Sequence, residues 1–142
     1  MAVNYRRLIT KLLDLCNIFY IMKVLSTTVV VHVSDLNRAL NYYINILGFG
    51  EDFKVPEYAG LVMDSVSIHL CGPGNQGMKK VHGSAHFCIE CDDVNNYFDS
   101  IYAKGAFIAV PLEDRYYGMR DFAVNDHDGN TLVFGTAIND TL

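Results

Sequence analysis

Val31-His32-Val33-Ser34-Asp35-Leu36-Asn37-Arg38-Ala39-Leu40-Asn41-Tyr42-Tyr43, leading on to Leu47-Gly48-Phe49, changes its hydrophobic period partway through. Thr27 to Val33 is rich in β-branched residues and predicts a strand. Ser34 or Asp35 can cap a helix, because a short side-chain oxygen accepts from its free N–H groups. Leu36, Leu40, Tyr43 and Leu47 then share one helical face, and Gly48 supplies the stop. Phe49 to Val55, Ala59 to Met63 and Val66 to Cys71 predict three short strands, with Asp64-Ser65 turning between the last two.

The same grammar recurs 58 positions later, where Cys91-Asp92-Asp93-Val94 matches Val33-Ser34-Asp35-Leu36. Ser84 to Cys91 predicts the strand and Asp92 or Asp93 the cap. Val94, Tyr97, Phe98, Ile101 and Tyr102 form the helical face, and Gly105 ends it. Ala106 to Val110, Arg120 to Val124 and Thr131 to Gly135 predict further strands, with Asp128-Gly129-Asn130 as a hairpin signal. The fold class is therefore α+β: two tandem β-α-β-β-β modules forming a curved, cavity-bearing mixed sheet. Module one spans 26–72, a glycine-rich linker 73–81, and module two 82–137, all within a single domain of 26–142. A duplicated unit places its cavity where related strands face each other.

With 142 residues, one domain large enough to bury its own core is expected. Residues 1–25 carry Arg6, Arg7, Lys11 and Lys23 against Asp14, whereas the remainder holds 7 basic and 15 acidic residues. An acidic body argues against nucleic acid, whose binding depends on phosphate neutralisation. It is compatible with a cationic small ligand, and equally with a role in solubility alone. Leu8, Leu12, Leu15 and Phe19 share a helical face, so residues 1–25 read as an amphipathic N-terminal extension. A leader upstream of a start at Met22 is the equal alternative. Lys11 and Asp14 interrupt the apolar run, which suits neither a signal peptide nor a membrane span. Cys88 and Cys91 fall on opposite faces of one strand, so they read as reduced thiols in a cytoplasmic protein.

The opening stretch resembles the glyoxalase, bleomycin-resistance and extradiol dioxygenase superfamily. The run Tyr117-Gly118-Met119-Arg120-Asp121-Phe122-Ala123-Val124-Asn125-Asp126-His127-Asp128-Gly129-Asn130 is most similar to its bleomycin-resistance branch. In metal-using members each module gives two ligands, one from its first strand and one from its last. The resemblance assigns those positions to Thr28 and His86, and to His69 and Val133. Two of the four are poor or impossible ligands for a transition metal. His32 and Glu90 share faces with Thr28 and His86, but strand rise sets each ~13 Å from its neighbour.

The resemblance thus implies a cavity at Thr28, His32, His69, His86, Cys88, Glu90, Tyr117 and Val133, with no cofactor favoured. The expected function is sequestration of a drug-like or metabolite ligand without metal, by a homodimer that contacts neither nucleic acid nor membrane. The competing reading is a lyase, isomerase or dioxygenase holding zinc, nickel, manganese or iron through His69 and His86. An accessory domain with a vestigial cavity is a third. His69 and His86 can equally be polar wall residues, and His82 and His127 read as surface. Arg120 is expected to pair with Asp126 or Asp128 across the hairpin. Arg115-Tyr116-Tyr117 either closes over a ligand or packs on a second subunit. Glu113-Asp114 does not form a convincing acid–base pair.

Overall fold

The computed structural model describes residues 22–138, and the helical face anticipated at Leu8, Leu12, Leu15 and Phe19 lies outside them. The first β-α-β-β-β set comprises β1 (Val29–His32), α1 (Leu36–Asn41), β2 (Gly50–Val55), β3 (Tyr58–Met63) and β4 (Val66–Cys71). The second comprises β5 (His86–Glu90), α2 (Val94–Ala103), β6 (Phe107–Asp114), β7 (Met119–Asn125) and β8 (Thr131–Ala137). Each set forms a four-stranded mixed sheet, in the orders β1-β4-β3-β2 and β5-β8-β7-β6. The first strand of each lies parallel to the last, and the other pairs are antiparallel.

The caps follow from side-chain chemistry. Asp35 accepts from the Arg38 amide at 2.9 Å, and Asp93 accepts from the Asn96 amide at 3.1 Å. Gly48 and Gly105 end the two helical segments, both at φ +88°, where a β-carbon would be strained. Between α1 and Gly48 the chain widens into a π-helical turn, Tyr42–Ile46. The Leu47 amide donates to the Tyr42 carbonyl five residues back, at 3.0 Å. The extra residue in the turn lets the adjacent Tyr42 and Tyr43 both be buried.

Those two tyrosines join the modules. The Tyr42 hydroxyl donates to the Asn125 carbonyl at 2.8 Å and accepts from the Phe107 amide at 2.9 Å. Its ring stacks on Phe107 and meets the exposed His127 edge-on. The Tyr43 hydroxyl donates to Asp126 Oδ2 at 3.0 Å, and burial first, then Asp126, pushes the phenol's ionisation far upward. Asp126 also accepts from the Asp128 and Asn130 amides and from Asn130 Nδ2. The buried Asn130 in turn donates to the His32 carbonyl and accepts from the Ala85 amide. The second sequence motif is thus a latch onto the first. One buried cluster includes Tyr43, Phe49, Leu61 and Leu70 from the first set with Phe122, Leu132 and Phe134 from the second.

Two expectations need correction. Tyr102 is 64 % exposed, because the buried stripe of α2 runs through Val94 and Ile101 and turns away before the next residue. Arg120 pairs with Asp114 at 2.9 Å and donates to Asn95 at 2.7 Å, not to Asp126 or Asp128. Register explains this: Arg120 stands directly opposite Asp114 on β6, while Asp126 and Asp128 lie beyond the far end of β7.

Candidate functional site

Each sheet packs one face on the helices and leaves the other open, and strand parity assigns the residues. In the first sheet Val30 stands beside His69, which stands beside Gly60. Cys71 and Tyr58 pair one step along on the same face. Gly60 is where the wall is made. A β-carbon there would collide with the Phe53 ring, so the glycine lets that ring lie flat across the sheet. Phe53 stacks on Tyr58 with ring centroids 6.3 Å apart and meets His69 edge-on at 5.1 Å. The Tyr58 hydroxyl shares a 3.0 Å hydrogen bond with His69 Nδ1. With the hydroxyl donating, Nε2 carries the imidazole proton and is a hydrogen-bond donor. Burial, and then Cys71, hold the Tyr58 phenol above its usual range.

Thr28 lies just ahead of β1, and its hydroxyl donates to Ser67 Oγ at 3.3 Å. His32, at the end of β1, is half-buried. Burial first, then Lys79 and Lys80, lower its pKa below the usual imidazole value.

In the second sheet the open face carries His86, Cys88 and Glu90, all exposed, opposite Thr131, Val133 and Gly135. Ala123 and Asp121 continue that face on β7. Asp121 is buried, and its carboxylate accepts from Arg115 Nε at 2.7 Å and from the Tyr117 hydroxyl. Arg115 also pairs with Glu113 at 3.0 Å and donates to the Pro111 carbonyl. The hydrogen bond to Asp121 is the main reason that Arg115 and Tyr117 both titrate higher than usual. The Tyr117 ring meets the fully exposed Tyr116 edge-on at 5.1 Å.

The structure therefore brings some of the anticipated residues together and not others. Cys88 and Glu90 border a cavity of about 240 Å³ at the seam between the sheets, with Thr27, Ser67 and Phe87. Tyr117 is tied to Asp121. His69 belongs to β4 of one sheet and His86 opens β5 of the other, and no strand ladder joins the two. Among the described residues, no group of three or more His, Cys, Asp or Glu could hold a metal ion. Cys88 and Cys91 are free thiols, the former exposed and the latter half-buried near Thr136.

Sequence reasoning missed Phe53, Tyr58, Asp121 and the restraint on Arg115. The isolated Gly60 within a strand pattern was the available signal, since such a glycine marks close approach by another group. No helix among the described residues is long and apolar enough to cross a membrane.

A family model described as Glyoxalase/Bleomycin resistance protein/Dioxygenase superfamily matches residues 25–134. The chain belongs to this superfamily. A bleomycin resistance protein of Geobacillus stearothermophilus is 26% identical over 117 residues, covering 72% of this chain and 89% of that protein. Among solved structures, TioX from Micromonospora sp. ML1 superposes with a TM-score of 0.72 at 22% identity, covering 80% of this chain and 99% of TioX. The bleomycin-binding protein of bleomycin-producing Streptomyces verticillus, solved with copper(II)-bleomycin, gives 0.67 at 24% identity, covering 82% and 98%. Both superpositions establish a shared fold.

Proposed function

We propose that this protein sequesters a small drug-like or metabolite molecule on the open faces of its two sheets, by affinity alone and without a metal. In this reading residues 26–142 act as one binding domain in a homodimer, with module one (26–72) and module two (82–137) joined by 73–81. The observation that carries it is the setting of His69. Its Nδ1 is engaged by Tyr58 and its ring is walled by Phe53, while the partner position Val133 offers no donor at all. An aromatic wall with a few polar groups suits recognition of a planar ligand. The likeness to bleomycin resistance proteins supports the same reading. Thr28, His32, His86, Cys88, Glu90 and Tyr117 line the remainder of the proposed site, and the acidic body suits a ligand bearing positive charge.

The test is a pair of titrations. Zinc, nickel, manganese and iron(II) are each expected to bind substoichiometrically, and metal-free bleomycin is expected to raise the melting temperature. Stoichiometric metal uptake that disappears in a His69→Ala, His86→Ala double variant would overturn the reading and favour a metal-dependent lyase, isomerase or dioxygenase.

A further inference from the structure

At the end of the module-one open face, the linker folds back over β1, β3 and β4. The half-open cleft it borders has a volume of about 400 Å³ and is lined by Val30, His32, Tyr58, Cys71, Met78 and Lys80 among others. The linker is held in place there. The Gly74 amide donates to Glu57 Oε2 at 3.0 Å, and Lys79 Nζ donates to the Pro73 carbonyl at 2.7 Å. Lys80, by contrast, makes no hydrogen bond or ion pair among the described residues, although it lines the cavity. Lys80 gives the space a cationic group, Val30, Met78 and the buried Cys71 give it apolar surface, and His32, Tyr58 and Asn75 give it polar groups.

We infer that this cavity is a binding site for a small carboxylate carried on an apolar or aromatic body. Lys80 supplies the counter-charge, His32 a hydrogen bond, and Val30 with Met78 the apolar contact. A space of this size suits a molecule of one or two rings. The inference goes beyond the proposed function in naming an anionic ligand, and it rests on that reading only in taking the module-one open face as a binding wall: Tyr58 belongs both to this cavity and to the wall around His69.

His32 adds a pH signature. The titratable groups around it are Tyr58 from β3, Cys71 from β4, and Lys79 and Lys80 from the linker, while Glu57 is turned to the Gly74 amide. Burial first, then the two lysines, lower the imidazole pKa in the free protein. A bound carboxylate favours the imidazolium. Ligand and proton therefore bind together, and affinity rises as the pH is lowered.

Benzoate, with benzamide as its neutral isostere, tests this by calorimetry and by the His32 imidazole resonances of the full chain. Benzoate is expected to bind at least about tenfold more tightly than benzamide, the margin of one added charge interaction. Lys80→Gln should erase that margin at pH 7.5 and leave only the part that His32 supplies on acidification. His32→Gln should weaken benzoate binding at pH 7.5 and abolish the further gain on acidification. Equal affinity for benzamide, or benzoate binding unchanged in Lys80→Gln, overturns the proposal. Bleomycin is the separate arm: if it stabilises the protein while benzoate does not bind, this inference alone fails. If benzoate binds as described and bleomycin does not, the carboxylate site stands and the drug-sequestering role falls.

Discussion

Gly60 carries more of the proposed chemistry than any side chain beside it. Its missing β-carbon is what allows Phe53 to cover the sheet and to reach both Tyr58 and His69. The atoms that would clash belong to the end of a mobile ring, so Gly60→Ala is accommodated by swinging Phe53 outward. The expected result is a melting temperature within a few degrees of wild type, with ligand affinity reduced about tenfold. Calorimetry and thermal unfolding on the same samples check this. A large loss of stability with unchanged affinity would mean that the ring is core and not wall. The histidines were legible in the sequence as candidates, but their roles were not. What a histidine does depends on which nitrogen is engaged, and for His69 that is decided by Tyr58 across an antiparallel ladder.

Among the elements, the two glycine stops stood plainly in the sequence and each cap was narrowed to two residues, Ser34 or Asp35 and Asp92 or Asp93, because both features depend on contacts three or four residues apart. The π-helical turn at Tyr42–Ile46 did not, since a period near 3.6 predicts only an α-helical face. Its use is to present Tyr42 and Tyr43 together to the β7–β8 turn, where Asp126, Asp128 and Asn130 receive module one. Asp128 closes the latch by accepting from the Ser34 amide at 2.9 Å, with Arg38 nearby. Burial alone would raise its pKa. The hydrogen bonds from Ser34 and the charges of His82 and Arg38 together outweigh that and lower it. Because the folded value lies below the unfolded one, its contribution is complete above about pH 4 to 5. It is lost as pH falls through the depressed folded value. Denaturant unfolding of Asp128→Asn should show a deficit of about 1 kcal/mol at neutral pH that shrinks below pH 4. A deficit independent of pH would mean that packing, and not charge, is lost.

For the whole molecule, the open faces leave Val30, Val55, Val62, Val110 and Tyr117 exposed together with Phe53. Burying such area against a second copy is the expected way to remove it from water and to bring a module-one face opposite a module-two face. Sedimentation should therefore show a dimer, and a Val55→Lys, Val62→Lys variant should sediment as a monomer and lose most ligand binding. A wild-type monomer that still binds the ligand at full affinity would place the whole site within one chain.

The sequence by itself determined the duplication, the two β-α-β-β-β sets and the glycine helix stops, and narrowed each cap to two adjacent residues. Those features are written in local periodicity and in the conformational demands of single residues. Only the tertiary structure decided that the second motif is a latch, that Phe53 lies over Gly60, that Asp121 restrains Arg115 and Tyr117, and that Arg120 belongs to Asp114. The physical reason is common to all four. Parity along a strand tells which face a side chain takes, but its partner is fixed by the register between strands, and register is set by packing over the whole chain.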